Sequence, residues 1–215
     1  MLVIAHRGAS GREPENSYEA FQTALELEAE AVEADLRKCK YCGQIVLSHD
    51  RVDVFKKHQN SLTLKDFLSS DFAEWMDLHL EIKEKGIINE IFALTGEVAF
   101  KDHIIYSSFR WSELWKIRRK YRRARIGLLW DWAETKLPIW LTAVCGKVLG
   151  AESVHLNFEN LGKKTVMYFR KKGFLVYAYT VNSVDEIAMA RNLGLDGIFT
   201  DYPDLARDVL SKPVQ

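Results

Sequence analysis

A (β/α)8 TIM barrel is the fold class this sequence predicts, and three observations predict it. Apolar runs of strand length alternate with helical patterns almost from end to end of the 215 residues, and repeated strand–helix units imply a parallel sheet covered by helices. Eight main units plus one short strand pair suit a closed barrel better than an open doubly wound sheet. No Gly-x-Gly-x-x-Gly follows the first strand, so a dinucleotide-binding fold lacks its fingerprint. The expectation is a single domain spanning residues 1–215, with no internal repeat, low-complexity segment or linker.

The elements follow in order. Leu2–His6 is a short apolar run and the first strand. Ser17 to Ala29 reads as a helix, because Ala20, Phe21, Ala24, Leu25 and Ala29 form one apolar stripe. Ala31–Arg37 and Gln44–His49 make the strand pair, and a helix follows at Leu64–Leu68. Strands at Leu78–Lys83, His103–Ser107, Arg125–Leu129 and Ser153–Asn157 then alternate with helices at Lys85–Ala99, Trp111–Tyr121 and Trp132–Leu149. Gly162–Lys172 is helical and Phe174–Val181 a strand. Ser183–Leu193 opens on a capping box, Ser183 with Glu186 three residues on. Gly197–Thr200 and Pro203–Leu210 supply the last strand and helix.

Composition excludes several function classes. Thirty basic and thirty acidic residues cancel, so nothing global points to nucleic acid or an anionic membrane. Three cysteines without a pairing pattern favour a reducing compartment. The first strand begins at Leu2, which leaves no room for a cleavable leader ahead of it. The most apolar stretch, Leu137 to Ala151, contains Pro138 and Lys147 and is shorter than the ~20 residues a spanning helix needs. A soluble, cytoplasmic protein is expected.

The chemistry sits where apolar strands end in polar groups. Leu2-Val3-Ile4-Ala5 runs into His6-Arg7, Ala31-Val32 into Glu33 and Asp35, and Ile45-Val46-Leu47 into His49. Charge at the end of a buried strand is costly unless it is paired, hydrogen-bonded or bound to metal. Side chains alternate faces along a strand, so Val32, Ala34 and Leu36 face the outer helices and Glu33, Asp35 and Arg37 face inward. The same alternation sends Leu78, Leu80 and Ile82 outward and His79, Glu81 and Lys83 inward. Glu33, Asp35 and Glu81 would then share one cavity, and three like charges there require a counter-ion. An all-oxygen set suits a hard divalent cation, Mg²⁺ or Ca²⁺, rather than zinc. Arg7 and Lys83 lie close by, available to a phosphate or to the acids themselves. His6 and His49 are suited to proton transfer near neutral pH.

The ordered set His6-Arg7-Gly8, Pro14-Glu15-Asn16-Ser17, Glu33-x-Asp35, His49-Asp50, Leu80-Glu81-Ile82-Lys83, Tyr179-Thr180-Val181-Asn182 and Asp196-Gly197-Ile198-x-Thr200-Asp201-x-Pro203 resembles the glycerophosphodiester phosphodiesterase family. The resemblance spans Val3 to Pro203 and implies a (β/α)8 barrel that cleaves a glycerophosphodiester to glycerol 3-phosphate and an alcohol. It implies that Glu33, Asp35 and Glu81 bind the divalent metal and that His6 and His49 form the acid–base pair. Arg7 and Lys83 would hold the phosphate, with Glu15 and Asn16 ordering the site. The implied partner is a small-molecule glycerophosphodiester. Two alternatives stay open: a phosphodiesterase of lysophospholipids that stops at a cyclic phosphate, and a non-catalytic barrel that binds phosphodiesters.

The sequence departs from the family pattern twice. Only Arg51 to Ser61 separates His49-Asp50 from the Leu62-Thr63-Leu64 helix start, a shortened insertion after the second strand region that predicts an open pocket. Tyr179 stands where the family commonly has tryptophan, at one pocket wall.

Other features have plainer expectations. Cys39 and Cys42 form a lone Cys-x-x-Cys that lacks the further ligands of a zinc site and reads as a turn. His79 is expected in the core, and His58, His103 and His155 outside any constellation. The basic run Lys116 to Arg125 falls at the barrel's N-terminal rim, a solvated helix end, a docking site for an acidic partner or a peripheral membrane contact. Trp130, Trp132 and Trp140 are expected near the catalytic rim, as packing or as a greasy wall for a lipid-like alcohol. The oligomeric state is left open.

Overall fold

The computed structural model describes residues 1–51, 61–131 and 135–212. Nine strands form one sheet: β1 (Leu2–Ala5), β2 (Ala31–Lys38), β3 (Ile45–Leu47), β4 (Asp77–Ile82), β5 (Ile104–Ser108), β6 (Arg125–Trp130), β7 (Ser153–Asn157), β8 (Leu175–Tyr179) and β9 (Gly197–Thr200). Eight of them are parallel, in the order β1-β9-β8-β7-β6-β5-β4-β2, and β2 pairs back onto β1 to close the ring. This is the predicted (β/α)8 barrel. The helices on its outside are α1 (Tyr18–Glu26), α2 (Leu64–Leu68), α3 (Asp71–Trp75), α4 (Ile88–Thr95), α5 (Trp111–Lys120), α6 (Ile139–Leu149), α7 (Lys163–Lys171), α8 (Val184–Leu193) and α9 (Pro203–Ser211).

β3 is the exception to the parallel rule. It runs antiparallel to β2, with Leu36 opposite Leu47 and Lys38 opposite Ile45. Lower down the same side of β2, Ala31 and Val32 pair with Ile4 and Ala5 of β1. β1 therefore ends early, and β3 occupies the edge of β2 that β1 leaves bare. Because β3 descends, the chain after it returns toward the barrel mouth, where the Ser48 N–H donates to the Asp35 carbonyl at 2.9 Å.

Strand alternation divides the core as expected. Val32, Ala34, Leu36, Leu78, Leu80 and Ile82 all join the large hydrophobic layer between sheet and helices. Inside the barrel a smaller cluster of Ile4, Ala31, Tyr177 and Phe199 fills the lower end. The fully buried rings of His79 and His155 lie against this plug, with His155 4.9 Å from Phe199 and His79 5.5 Å from it, centroid to centroid. Gly127 makes room for His155, since a Cβ there would come within 2.5 Å of its ring.

The boundaries shift where backbone chemistry intervenes. Lys85–Ala99 shrinks to α4, because Gly86 adopts φ +84 and cannot continue a helix at its start. Of the expected Trp132–Leu149 helix, the part from Ile139 is α6, which begins directly after Pro138; the break at 136–138 fits a proline, which lacks the N–H and disfavours helical backbone before it. Residues 132–134, the start of that expected helix, lie outside the described residues, as do His58 and the shortened loop at 52–60. α3 was not expected: its five residues are too few for a periodic pattern, and Trp75 is exposed. The capping box of Ser183 and Glu186 is present at α8. Among the described residues no helix is long and apolar enough to cross a membrane.

The basic run does lie at the N-terminal end of the barrel, from the second half of α5 to the first residue of β6. Much of it serves the fold. Arg118 donates to the Leu149 and Gly150 carbonyls beyond the end of α6, Arg125 grips Glu152 with three contacts of 2.8–3.1 Å, and Lys116 pairs with Glu113. Cys39 is buried just past β2 and Cys42 is exposed in the reverse turn that leads to β3.

Candidate active site

Three carboxylates meet at the C-terminal mouth of the barrel. β2 and β4 are in register with Asp35 beside Glu81 and Glu33 beside His79. One oxygen from each of Glu33, Asp35 and Glu81 lies within 4.8 Å of the others. Each carboxylate has a different environment. Asn16 holds Asp35 twice: its side-chain amide donates to Oδ2 at 3.0 Å, and its Oδ1 accepts the Asp35 N–H at 3.1 Å. Burial acts to raise the Asp35 pKa, but Lys83, Arg7 and Asn16 outweigh it and hold the group below the ordinary carboxylate range. Glu33 accepts the Arg7 backbone N–H at 3.0 Å through Oε2, while its buried Oε1 has no hydrogen-bond partner. Burial, then the neighbouring Asp35 and Glu81 charges, push Glu33 well above the usual range. Glu81 is raised as well, chiefly by burial.

Arg7 and Lys83 supply the local positive charge. The Arg7 Nε lies 3.0 Å from Asp35 and its NH1 2.5 Å from Glu15. The Lys83 ammonium sits 2.9 Å from Glu81 and 3.2 Å from Asp35. Both cations, the expected phosphate ligands, therefore already contact the acid cluster. The turn that places Arg7 is tight: Arg7 and Asn16 both carry left-handed backbone, with φ +56 and +57, and the Asn16 N–H donates to the Arg7 carbonyl at 3.0 Å. Gly8 is required there, since its φ is +82 and a Cβ would lie 2.6 Å from the Ala20 backbone.

His6 and His49 line one cavity with Glu33 and Glu81. His6 Nδ1 lies 2.7 Å from Asp201 Oδ1. The same carboxylate accepts the Ser10 hydroxyl at 2.9 Å and the Asn182 amide at 2.6 Å. Burial would raise Asp201, but the His6, Ser10 and Asn182 donors hold it low. An ionised Asp201 only accepts, so His6 Nδ1 donates, which in the neutral ring leaves the lone pair on Nε2. His49 is looser: Nδ1 is 3.1 Å from the exposed Asp50, while Arg37 Nε donates to the His49 carbonyl at 2.8 Å.

The expected site residues are thus brought together: His6, Arg7, Glu15, Asn16, Glu33, Asp35, His49, Glu81 and Lys83. Asp201, Ser10 and Asn182 were missed as a unit. Asn182 and Asp201 lie within two of the family-like motifs, but only the pairing of β1 with β9, Ala5 opposite Thr200, brings them to His6. His155 was expected outside any constellation, yet it forms part of the cavity floor. The greasy-wall expectation is not met by the described tryptophans. Trp130 packs outward against Phe169, Trp140 is exposed, and Phe109, Leu129 and Tyr179 form the apolar wall instead. Trp132 lies outside the described residues.

A protein-family model described as the glycerophosphoryl diester phosphodiesterase family matches residues 6–88 and 56–205. The chain belongs to this family. Among curated relatives of the family, a glycerophosphodiester phosphodiesterase from Caldanaerobacter subterraneus is 26% identical, covering 98% of this chain and 98% of its own length. One from Bacillus subtilis is 24% identical over 97% of this chain and 86% of its own. These matches extend over 246 and 259 aligned positions, more than this chain has residues, so both relatives carry extra residues between the shared elements. In solved structures, the glycerophosphodiester phosphodiesterase of Thermotoga maritima superposes with a TM-score of 0.80 at 25% identity, covering 99% of this chain and 98% of that one. A phosphodiesterase of Oleispira antarctica, solved with the product sn-glycerol-3-phosphate, gives a TM-score of 0.84 at 22% identity, covering 99% and 97%.

Proposed function

We propose that this chain hydrolyses glycerophosphodiesters to glycerol 3-phosphate and an alcohol, as a single catalytic domain acting in the cytoplasm with Mg²⁺ or Ca²⁺. The observation that carries the reading is the convergence of three carboxylates beside an Asp-oriented histidine, at a cavity of about 190 Å³ that His6, Glu33 and Glu81 line. Family membership supports it.

The residues fit a divalent metal. The donor set is all oxygen, Glu33 leaves a buried oxygen without a partner, and two cations do not offset the burial and mutual repulsion that raise Glu33 and Glu81. Glu33, Asp35 and Glu81 would hold the ion, with Asn16 fixing Asp35. When bound, it would draw charge from the phosphoryl oxygens and acidify the attacking hydroxyl.

The chain's own groups supply the rest. Arg7 and Lys83 offer N–H donors to the phosphate beside the acids. His6, held through Nδ1, presents Nε2 to take a proton from the glycerol hydroxyl that attacks phosphorus. His49, on the returning segment after β3, gives a proton to the departing alcohol oxygen as its P–O bond breaks. Water then opens the cyclic phosphate, with the two histidines exchanging roles.

The test is purified protein with Mg²⁺ or Ca²⁺ and a panel of glycerophosphodiesters, read as free glycerol 3-phosphate. His6→Ala and Glu33→Ala should abolish release. A cyclic phosphate as the final product would point to the lysophospholipid-type reaction, and no alcohol released from any diester would sink the enzyme reading.

A further inference from the structure

The mouth of the barrel holds more room than a glycerol phosphate fills. An outer lobe of about 500 Å³ shares His49, Glu81, Lys83, Phe109 and Tyr179 with the deep cavity and opens over the ends of β2, β4, β5 and β6. Its charged groups differ in what already holds them. Lys83 contacts Glu81 and Asp35. Arg37 is spent on the His49 carbonyl and on Glu84, at 2.8 and 3.1 Å. Asp131 accepts the Asn157 amide at 2.7 Å.

Arg110 is different. Its Nε donates to the Lys83 carbonyl at 2.8 Å, and its two terminal nitrogens make no hydrogen bond or ion pair with any described residue. The side chain is exposed at the rim and lines the lobe. A guanidinium tethered at Nε keeps its outer edge open, and that planar fork matches a carboxylate or phosphate with two parallel hydrogen bonds. The tether also removes part of the ordering cost before a ligand arrives.

We infer that the outer lobe receives the leaving alcohol and that Arg110 selects alcohols carrying a carboxylate or phosphate group. This rests on the phosphodiesterase reading above and names the substrate class within it. The competing occupant is a quaternary ammonium, which the Phe109 and Tyr179 rings, 6.1 Å apart and perpendicular, could attract. A fixed cation at the same lobe opposes it.

Glycerophosphoserine and glycerophosphoethanolamine differ by one carboxylate, and both carry the same ammonium. The wild-type kcat/KM should favour glycerophosphoserine by about tenfold or more. Arg110→Ala should bring the two substrates to parity, mainly by raising KM for glycerophosphoserine, with glycerophosphoethanolamine turnover changed less than threefold. Arg110→Lys should recover part of the preference, and Arg110→Glu should shift it toward glycerophosphocholine. No wild-type preference, a preference for glycerophosphocholine, or an equal loss on both substrates in Arg110→Ala would overturn the assignment. Failure to turn over any diester would instead remove the phosphodiesterase reading beneath it.

Discussion

Asp201 and His6 lie 195 positions apart in the chain and 2.7 Å apart in the barrel. The carboxylate fixes the imidazole tautomer and its orientation, while Ser10 and Asn182 fix the carboxylate. Asp201→Asn keeps the size but can present an N–H to Nδ1, so the lone pair moves to the wrong nitrogen. We expect kcat to fall by about 10²-fold or more, within the range that acid–base groups contribute. The fold should stay intact by circular dichroism. Unchanged kcat would remove His6 from the proton-transfer role.

Glu33 should be a liability without metal and an asset with it. Burial and two neighbouring carboxylates raise its pKa in the folded protein, so its stabilising contribution is complete below the unfolded value and is lost as pH rises toward the folded one. Glu33→Gln should therefore unfold at a higher temperature than metal-free wild type at neutral pH, and the gap should close near pH 4.5. Added Mg²⁺ or Ca²⁺ should raise the wild-type midpoint and leave the variant unmoved. Differential scanning fluorimetry with and without a chelator reads both effects.

Asn16→Ala removes two hydrogen bonds from the buried Asp35. Partners of a metal ligand typically change metal affinity by about 10–100-fold, and that is the loss expected here by calorimetric titration. Asn16→Asp, which adds a fourth carboxylate beside Asp35, should be worse for the metal-free fold and measurably less stable in urea.

His155 makes a distinct pH prediction. Burial drives its pKa from the ordinary 6.5 to about 3. The folded state thus keeps the ring neutral while the unfolded chain takes up a proton. Stability is full above about 6.5, falls as pH drops through that value, and goes on falling toward about 3. The slope from one such group is about 1.4 kcal/mol per pH unit. His155→Gln should flatten the decline between pH 7 and 5 in urea titrations, and an unchanged slope would place the sensitive group elsewhere.

The barrel and much of its site were legible from two patterns. Period-two alternation in Ala31–Lys38 and Asp77–Ile82 put Glu33, Asp35 and Glu81 on the inner face, and the register of β2 with β4 completes the cluster. Polar residues that end apolar strands marked His6 and His49. What stayed hidden depended on long-range pairing or on direction. Strand periodicity identifies β3 but not its antiparallel sense, which is what returns His49 to the mouth. The Asp201–Asn182–Ser10 network appears only once the first and last strands are neighbours. Alternation with the outward Val154 and Leu156 also turns His155 inward, but the space that admits its ring is left by Gly127 on the adjacent strand.

The pairing of β1 with β9 closes the sheet, with Leu2 opposite Gly197 and Ala5 opposite Thr200. That seam joins the earliest-made strand to the latest. During synthesis, a chain still lacking β9 has an open hydrogen-bonding edge along β1 and a His6 without its orienting carboxylate. Under the proposed roles, catalytic competence would depend on β9 being in place. On those same roles, a chain without β9 would carry Glu33, Asp35 and Glu81 but not the Asp201 that orients His6, so activity would report that the ring has closed.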